Sequence, residues 1–330
     1  MARAANFKNK ALLFIGVSVL LVLAAQVLST YWLSILTLVL IFGILAMSLD
    51  ILMGYTGLPS FGHSAFFGVA AYTVAILSTR YGVGFWGCVG GAFLLSTAVA
   101  AIFGLLVAHT KGVYFLMITL ALSMVVWGLA FRWVGMTSGD NGISGIPRPD
   151  LGEAVSMGDD VNFYYFVLAV YIAVFLLIYL FLRSPFGQSL KGIRESESRM
   201  KNLGYNTWLH KYLSYVVAGM FSGISGILWA YYNGFVSPSD VEITASFEAF
   251  LMVILGGPGT LVGPALGAGI IIFLQNFLSA FTERWLIVIG TIYILTILYL
   301  PHGIMALNIR GLKFNKTKTL SNDQTSGGTS

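Results

Sequence analysis

The chain has a single cysteine, Cys88, among its 330 residues. One thiol closes no internal disulfide and builds no thiolate metal centre. Lying within an apolar run, it reads as a small buried hydrophobe. Histidine is almost as scarce: His63, His109, His210 and His302 stand apart, without metal-site spacing. The dipeptide Gly-Lys does not occur. The chain therefore has no G-x-x-x-x-G-K-[ST] phosphate loop and hydrolyses no nucleotide by such a loop of its own. H-E-x-x-H is also missing, and no other enzyme constellation stands out, so the chain is read as not an enzyme. Charge is the largest deficit. Asp, Glu, Lys and Arg make up 9% of the residues, against about 25% in an ordinary soluble domain. The net charge of +5 is scattered over the ends of apolar runs and forms no basic stripe, so it does not point to nucleic acid.

What fills the chain is hydrocarbon. Hydrophobic residues make up 57% and the mean hydropathy is +0.85. Apolar runs of about 20 residues recur, the length that a bilayer core demands of a helix. A barrel would instead show shorter alternating segments, and an open sheet cannot satisfy its backbone in lipid. The expected fold class is an all-α polytopic membrane protein of about ten transmembrane helices, some of them broken or short. The expected spans are 11–29, 31–53, 61–79, 86–108, 112–134, 163–182, 212–233, 244–257, 262–281 and 285–306. The pair flanking Gly256-Gly257-Pro258-Gly259-Thr260 reads either as two short passes or as a re-entrant hairpin, because Gly and Pro at this density break a helix.

Lysine and arginine orient the spans. Arg3, Lys8 and Lys10 precede the first run, which reads as a retained signal anchor more than as a cleaved signal peptide. Loop 183–211 carries Arg183, Lys191, Arg194, Arg199, Lys201 and Lys211 against Glu195 and Glu197, and the C-terminal segment carries Arg310, Lys313, Lys316 and Lys318. All three regions are expected in the cytoplasm. Loop 135–162 is acidic apart from Arg148, and loop 234–243 holds Asp240 and Glu242, so both are expected outside. Ten passes with both ends inside reconcile these signals. The layout is then a cytoplasmic segment 1–10, a membrane domain 11–308 and a cytoplasmic, disordered tail 309–330. Two ridges of glycine, Gly259/Gly263/Gly267 and Gly219/Gly223/Gly226, allow helix backbones to approach closely, either within the subunit or at a seam between subunits.

Two stretches interrupt the hydrocarbon. GYTGLPSFGHSAFFG, residues 54–68, places Gly54, Gly57, Pro59 and Gly62 among Tyr55, Thr56, Ser60, His63 and Ser64. Irregular backbone at membrane depth persists only where protein or a water-filled cavity covers it, and broken helices often build transport sites. Tyr55, Thr56, His63 and Ser64 are accordingly the candidates for lining a translocation path; the alternative is a plain cytoplasmic turn. Asp50 reads as a helix-end anchor and Glu248 as interfacial. The second stretch, SPFGQSLKGIRESESRMKNLG at 184–204, carries six charges in 21 residues. It predicts one helix over 189–203 that stops at Gly204 in the C′ position. Charge pairs are expected at Lys191/Glu195, Arg194/Glu197, Glu195/Arg199 and Glu197/Lys201, with Leu190, Ile193, Met200 and Leu203 along one side. Mixed charge on a short rigid helix suits docking to another protein more than lying on lipid.

GQSLKGIRESESRMKNLGYN (187–206) also resembles the cytoplasmic loop of LivM-type permeases of bacterial ABC importers for branched-chain amino acids. So do LDILMGYTGLPSFGHSAFFGVAAYTVAIL (49–77), TSGDNGISGIP (137–147) and FLMVILGGPGTLVGPALGA (250–268); the likeness runs over roughly 40–306. Urea permease subunits of the same superfamily are similar, which leaves urea or another small polar solute open as cargo. The resemblance implies an ABC importer permease fold and a second, LivH-like permease chain. It further implies two P-loop ATPase subunits that hydrolyse ATP in trans, and a periplasmic binding protein. No cofactor is then expected on this chain. By position, Arg194, Glu195, Glu197, Arg199 and Gly204 are the candidates for coupling to the ATPase. A stand-alone secondary transporter or channel is the competing class; it would call for more ionisable residues within the membrane than this chain has.

Overall fold

The computed structural model describes residues 21–23, 25–149 and 157–281, together with isolated positions between 287 and 305. The expected segments 1–10 and 309–330, and most of the expected spans 11–29 and 285–306, lie outside the described residues. The described residues are almost entirely helical. α1 is Thr30–Asp50, α2 His63–Thr79, α3 Phe85–Val107, α4 Gly112–Arg132 and α5 the single turn Val134–Thr137. α6 follows at Asp160–Arg183, α7 at Pro185–Glu195, α8 at Glu197–Asn202 and α9 at Thr207–Asn233. α10 is Ile243–Gly256 and α11 is Val262–Ser279.

Six helices among the described residues are long and apolar enough to cross a membrane: α1 with its extension to Thr56, α3, α4, α6, α9 and α11. α2 and α10 are apolar but shorter. At 1.5 Å per residue they reach roughly 20–25 Å, less than a hydrocarbon core of about 30 Å. α1 and α9 are the most enclosed of the long helices, while α3 and α4 expose most of their surface. The core is thus built around α1 and α9, with α2, α3, α6 and α11 packed against them.

Glycines set the closest approaches. A methyl group on Gly226 of α9 would lie 2.0 Å from the Phe67 carbonyl oxygen of α2. On Gly223 it would lie 2.2 Å from Ser96 Oγ, and on Gly219 2.4 Å from Ala100 Cβ, both on α3. This ridge therefore packs inside the subunit. Gly263 and Gly267 of the other ridge do the same: their Cβ positions fall against the carbonyls of Gly256 and Met252, so α10 and α11 form a tight antiparallel hairpin.

Loops 135–162 and 234–243, both expected outside, meet at one end of the bundle. There Ile143–Ser144 pairs antiparallel with Phe235–Val236. Arg80 donates to Ser138 Oγ at 3.1 Å and ties the α2–α3 turn to the same end. The α3–α4 turn lies at the opposite end with α8, where Lys111 bonds Glu197.

Segment 184–204 corrects the expectation of one continuous helix. α7 ends at Glu195 and α8 begins at Glu197, because Ser196 adopts an extended backbone (φ −162°, ψ 101°) and caps α8 by accepting from Arg199 N–H. Serine offers a helix N-terminus a side-chain acceptor that competes with continuing the helix. Of the expected charge pairs, only Glu197–Lys201 forms, at 3.3 Å. Gly204 does take the C′ position. Its φ is +85°, and the bonds Gly204 N–H to Lys201 O (2.9 Å) and Tyr205 N–H to Met200 O (3.1 Å) close a Schellman motif.

Candidate functional site: a junction of broken helices under the 184–204 segment

α1 does not end cleanly. Residues Ile51–Thr56 widen into one π-helical turn, a form that recurs at functional sites. Thr56 Oγ1 donates to Ile51 O at 2.9 Å, five residues back, and Gly57 closes the turn at φ +77°. The chain then runs through 57–62 into the bundle, and α2 starts at His63.

This turn touches two other elements. Asp50, fully buried, accepts from Gly259 N–H through Oδ1 at 2.7 Å and from Leu261 N–H through Oδ2 at 3.3 Å. The carboxylate thereby supplies acceptors to backbone amides that the α10–α11 turn leaves bare. From the loop side, the Arg194 guanidinium of α7 donates to Gly54 O, and its stem lies against Gly57. The Lys191 ammonium sits 5.4 Å from the centre of the Tyr55 ring. Two breaks far apart in sequence, 51–57 and 257–261, are therefore held together by Asp50, and α7 is held to the first of them by Arg194.

Deeper in the bundle, the starts of α2 and α10 lie side by side. Ser64 Oγ is 2.8 Å from Ser123 Oγ and donates to Val241 O at 3.2 Å. Ser246 Oγ is bonded to Ser64 Oγ at 2.7 Å and donates to Phe61 O, also at 2.7 Å. Thr119 Oγ1 accepts from Phe61 N–H at 3.2 Å, and Ser222 Oγ donates to His63 O at 2.9 Å. Hydroxyls from α4, α9 and α10 thus satisfy the exposed backbone of the 57–64 segment. His63 is fully buried beside Phe66. Among the described residues its ring interacts with the Ser48 backbone but makes no hydrogen bond of ordinary geometry, and neither does the nearby Tyr215 hydroxyl.

The path candidates Tyr55, Thr56, His63 and Ser64 are all buried along these two clusters. Tyr55 and Thr56 lie at the junction, His63 and Ser64 at the hydroxyl cluster. The coupling candidates divide. Glu195 and Arg199 are exposed on the loop surface, as is Gly204. Arg194 is exposed as well, with its guanidinium donating to Gly54 O. Glu197 turns inward to Lys111 at 3.0 Å, Lys201 at 3.3 Å and Lys211 at 3.6 Å, and accepts from Thr207 Oγ1 at 3.1 Å. Burial pushes the Glu197 carboxyl up, but the lysines outweigh it and hold it below the ordinary carboxylate value. Sequence reading missed Thr119, Ser123, Ser222 and Ser246, whose only signal is a hydroxyl inside an apolar run. It also missed the partners of Asp50. Among the described residues, no three His, Cys, Asp or Glu side chains converge as metal ligands would.

The comparisons with known proteins agree on one family. Residues 31–297 match the family model described as "Branched-chain amino acid transport system / permease component". The chain is 30% identical to the high-affinity branched-chain amino acid transport system permease protein LivM of Salmonella typhimurium, over 84% of this chain and 71% of that one. It has the same identity and coverage with LivM of Escherichia coli. It is 22% identical to LivH, another permease protein of the Escherichia coli system, over 80% of this chain and 91% of that one. No solved structure matches. With a family model covering most of its length and LivM relatives at this identity, the chain belongs to the family of permease components of branched-chain amino acid transport systems.

Proposed function

We propose that this chain is a permease subunit of an ATP-driven bacterial importer whose cargo is branched-chain amino acids, and that the junction under the cytoplasmic loop transmits the motion of its motor. The junction carries this reading: one arginine of the surface loop grips the broken end of α1, and one buried carboxylate passes the connection on to the α10–α11 turn. A rigid connection of this kind suits a subunit driven from outside by a partner.

In this scheme the chain crosses the inner membrane ten times with both termini in the cytoplasm. It forms the path together with a second, LivH-like permease. Two P-loop ATPase subunits bind the cytoplasmic side of the permease pair, one of them on the exposed side of α7 and α8 through Glu195 and Arg199, and a periplasmic binding protein delivers cargo to the opposite end. ATP is bound and hydrolysed by the partners. When the ATPase pair closes, α7 moves, Arg194 pulls on the 54–57 turn, and Asp50 moves the 257–261 turn with it. The buried 57–64 segment, with Tyr55, Thr56, His63 and Ser64, then changes its exposure to the path.

The test is copurification from native membranes in mild detergent. The unaltered chain is expected to bring down a P-loop ATPase and a second permease, and the variant Glu195→Arg with Arg199→Glu is expected to lose the ATPase while remaining monodisperse. If the unaltered chain brings down no ATPase, the importer reading fails. If the variant still holds the ATPase, the assignment of the docking surface fails.

A further inference from the structure

The ion cluster around Glu197 is unbalanced. Lys111 from the α3–α4 turn, Lys201 from α8 and Lys211 from α9 all converge on this single carboxylate. Three ammonium groups against one carboxylate leave two positive charges uncompensated. Lys211 is buried, at 3% exposure, while the heads of Lys111 and Lys201 are more than half exposed. These groups line an open depression of about 330 Å³ together with His109, Tyr205 and Trp208. That is within the range of small-ligand pockets, about 300–1,000 Å³.

The position of the depression limits what can fill it. It lies where three apolar helices end: α3 stops at Val107, α4 starts at Gly112 and α9 starts at Thr207. Immediately beside it Leu105, Leu106, Val113 and Tyr114 are exposed, and in a membrane-spanning chain such side chains face acyl chains. Trp208, whose indole N–H donates to His109 Nδ1 at 3.3 Å, lies one residue inside the start of α9 and is of the type that marks the boundary between headgroups and hydrocarbon at helix ends. Positive charge in excess, a pocket at headgroup depth and an apolar wall continuing from it together describe one kind of ligand.

We propose that this pocket binds the phosphate of an anionic phospholipid. The exposed ammonium groups of Lys111 and Lys201 hold the phosphate, buried Lys211 adds its field from behind, and the acyl chains lie along the exposed ends of α3 and α4. Glu197 orients the lysines and limits the affinity. The site needs only that the chain sits in a membrane and does not depend on the cargo; its Lys201 lies on α8, beside the side of α7 and α8 proposed to meet the ATPase. It does add a consequence: lipid bound here would brace α8 against the α3–α4 turn.

Native mass spectrometry of the full chain, purified and stripped of lipid, tests this. Phosphatidylglycerol and phosphatidylcholine with identical acyl chains are the probes, and inorganic phosphate is the competitor. The unaltered chain should hold one phosphatidylglycerol in preference to phosphatidylcholine. Lys111→Gln combined with Lys201→Gln should weaken phosphatidylglycerol binding by about tenfold or more and abolish the preference. Glu197→Gln, which removes the competing carboxylate, should strengthen it. Millimolar phosphate should displace little of the lipid. The proposal is overturned if the lysine variant binds phosphatidylglycerol as the unaltered chain does. It is overturned if phosphate alone displaces the lipid completely, since the site is then one for free phosphate. It is also overturned if the lysine variant keeps its lipid but, in a parallel copurification from native membranes, loses an ATPase that the unaltered chain brings down, since the cluster is then a protein-docking surface.

Discussion

Gly54 is the position where the junction tolerates least. A methyl group built on it would lie 2.0 Å from Asp50 Oδ1 and 2.2 Å from Gly259 N. Those two atoms are themselves hydrogen-bonded at 2.7 Å. Ordinary carbon contacts begin near 3.4 Å, so Gly54→Ala must push the carboxylate or the 257–261 backbone away by more than an ångström. Either movement breaks the bond between them. Overpacking a filled site costs about 1–3 kcal/mol, and loss of the hydrogen bond adds about 0.5–1.5 kcal/mol. Neighbouring effects do not add fully, so a loss of about 2–4 kcal/mol is expected. Gly90→Ala is the control. Its Cβ meets nothing within 4 Å, and alanine inside a helix is favoured over glycine by about 0.5–1 kcal/mol. Thermal unfolding of the purified chain in mild detergent should show a large drop in midpoint for Gly54→Ala and no drop for Gly90→Ala. Equal midpoints for the two variants would refute the packing argument at the junction.

Further outcomes can be checked on the same preparation. Gly226→Ala should destabilise the fold by about 1–3 kcal/mol or more, because its Cβ would lie 2.0 Å from the Phe67 carbonyl oxygen; a melting point like that of the unaltered chain would contradict the close α2–α9 contact. The Glu197 carboxyl is pulled below its ordinary value of 4.5 by Lys111, Lys201 and Lys211 against the opposing effect of burial. Its ion pairs therefore contribute fully above about pH 4.5 and fade as the pH falls through the lowered folded-state value. Thermal stability of the unaltered chain should drop towards that of Glu197→Gln in this acid range; a constant gap between the two would count against the cluster. Cysteines placed at Thr56 and Ser64 should react with a water-soluble thiol reagent at rates that depend on nucleotide state in the assembled importer. Rates indifferent to nucleotide would remove these residues from the path.

Much of this arrangement was legible in the sequence because hydrocarbon thickness imposes run lengths. The runs at 86–108 and 112–134 became α3 and α4 to within two residues at each end. Gly54, Gly57, Pro59 and Gly62 marked the interruption between α1 and α2, since so many helix breakers in one apolar stretch leave a helix little alternative. The π-turn was not legible, because it depends on Asp50 and Thr56 finding acceptors and donors that the local sequence does not announce. The loop helix failed as a single element for a related reason. Local pairing rules connected Glu195 with Lys191 and Arg199, but Glu197 was recruited by Lys111 and Lys211 from other helices, and Ser196 was free to act as a cap. The Arg194–Gly54 contact spans 140 residues and leaves no periodic trace.

The central claim is that Arg194 transmits the motor's movement, a role distinct from binding the motor. In an importer reconstituted from the chain with the proposed second permease, ATPase pair and binding protein, cargo uptake and ATP hydrolysis would be measured together for the unaltered chain and for Arg194→Ala. The account predicts that the variant retains the ATPase and continues to hydrolyse ATP, while cargo moved per ATP falls severalfold. An unchanged ratio with the ATPase still bound would contradict it.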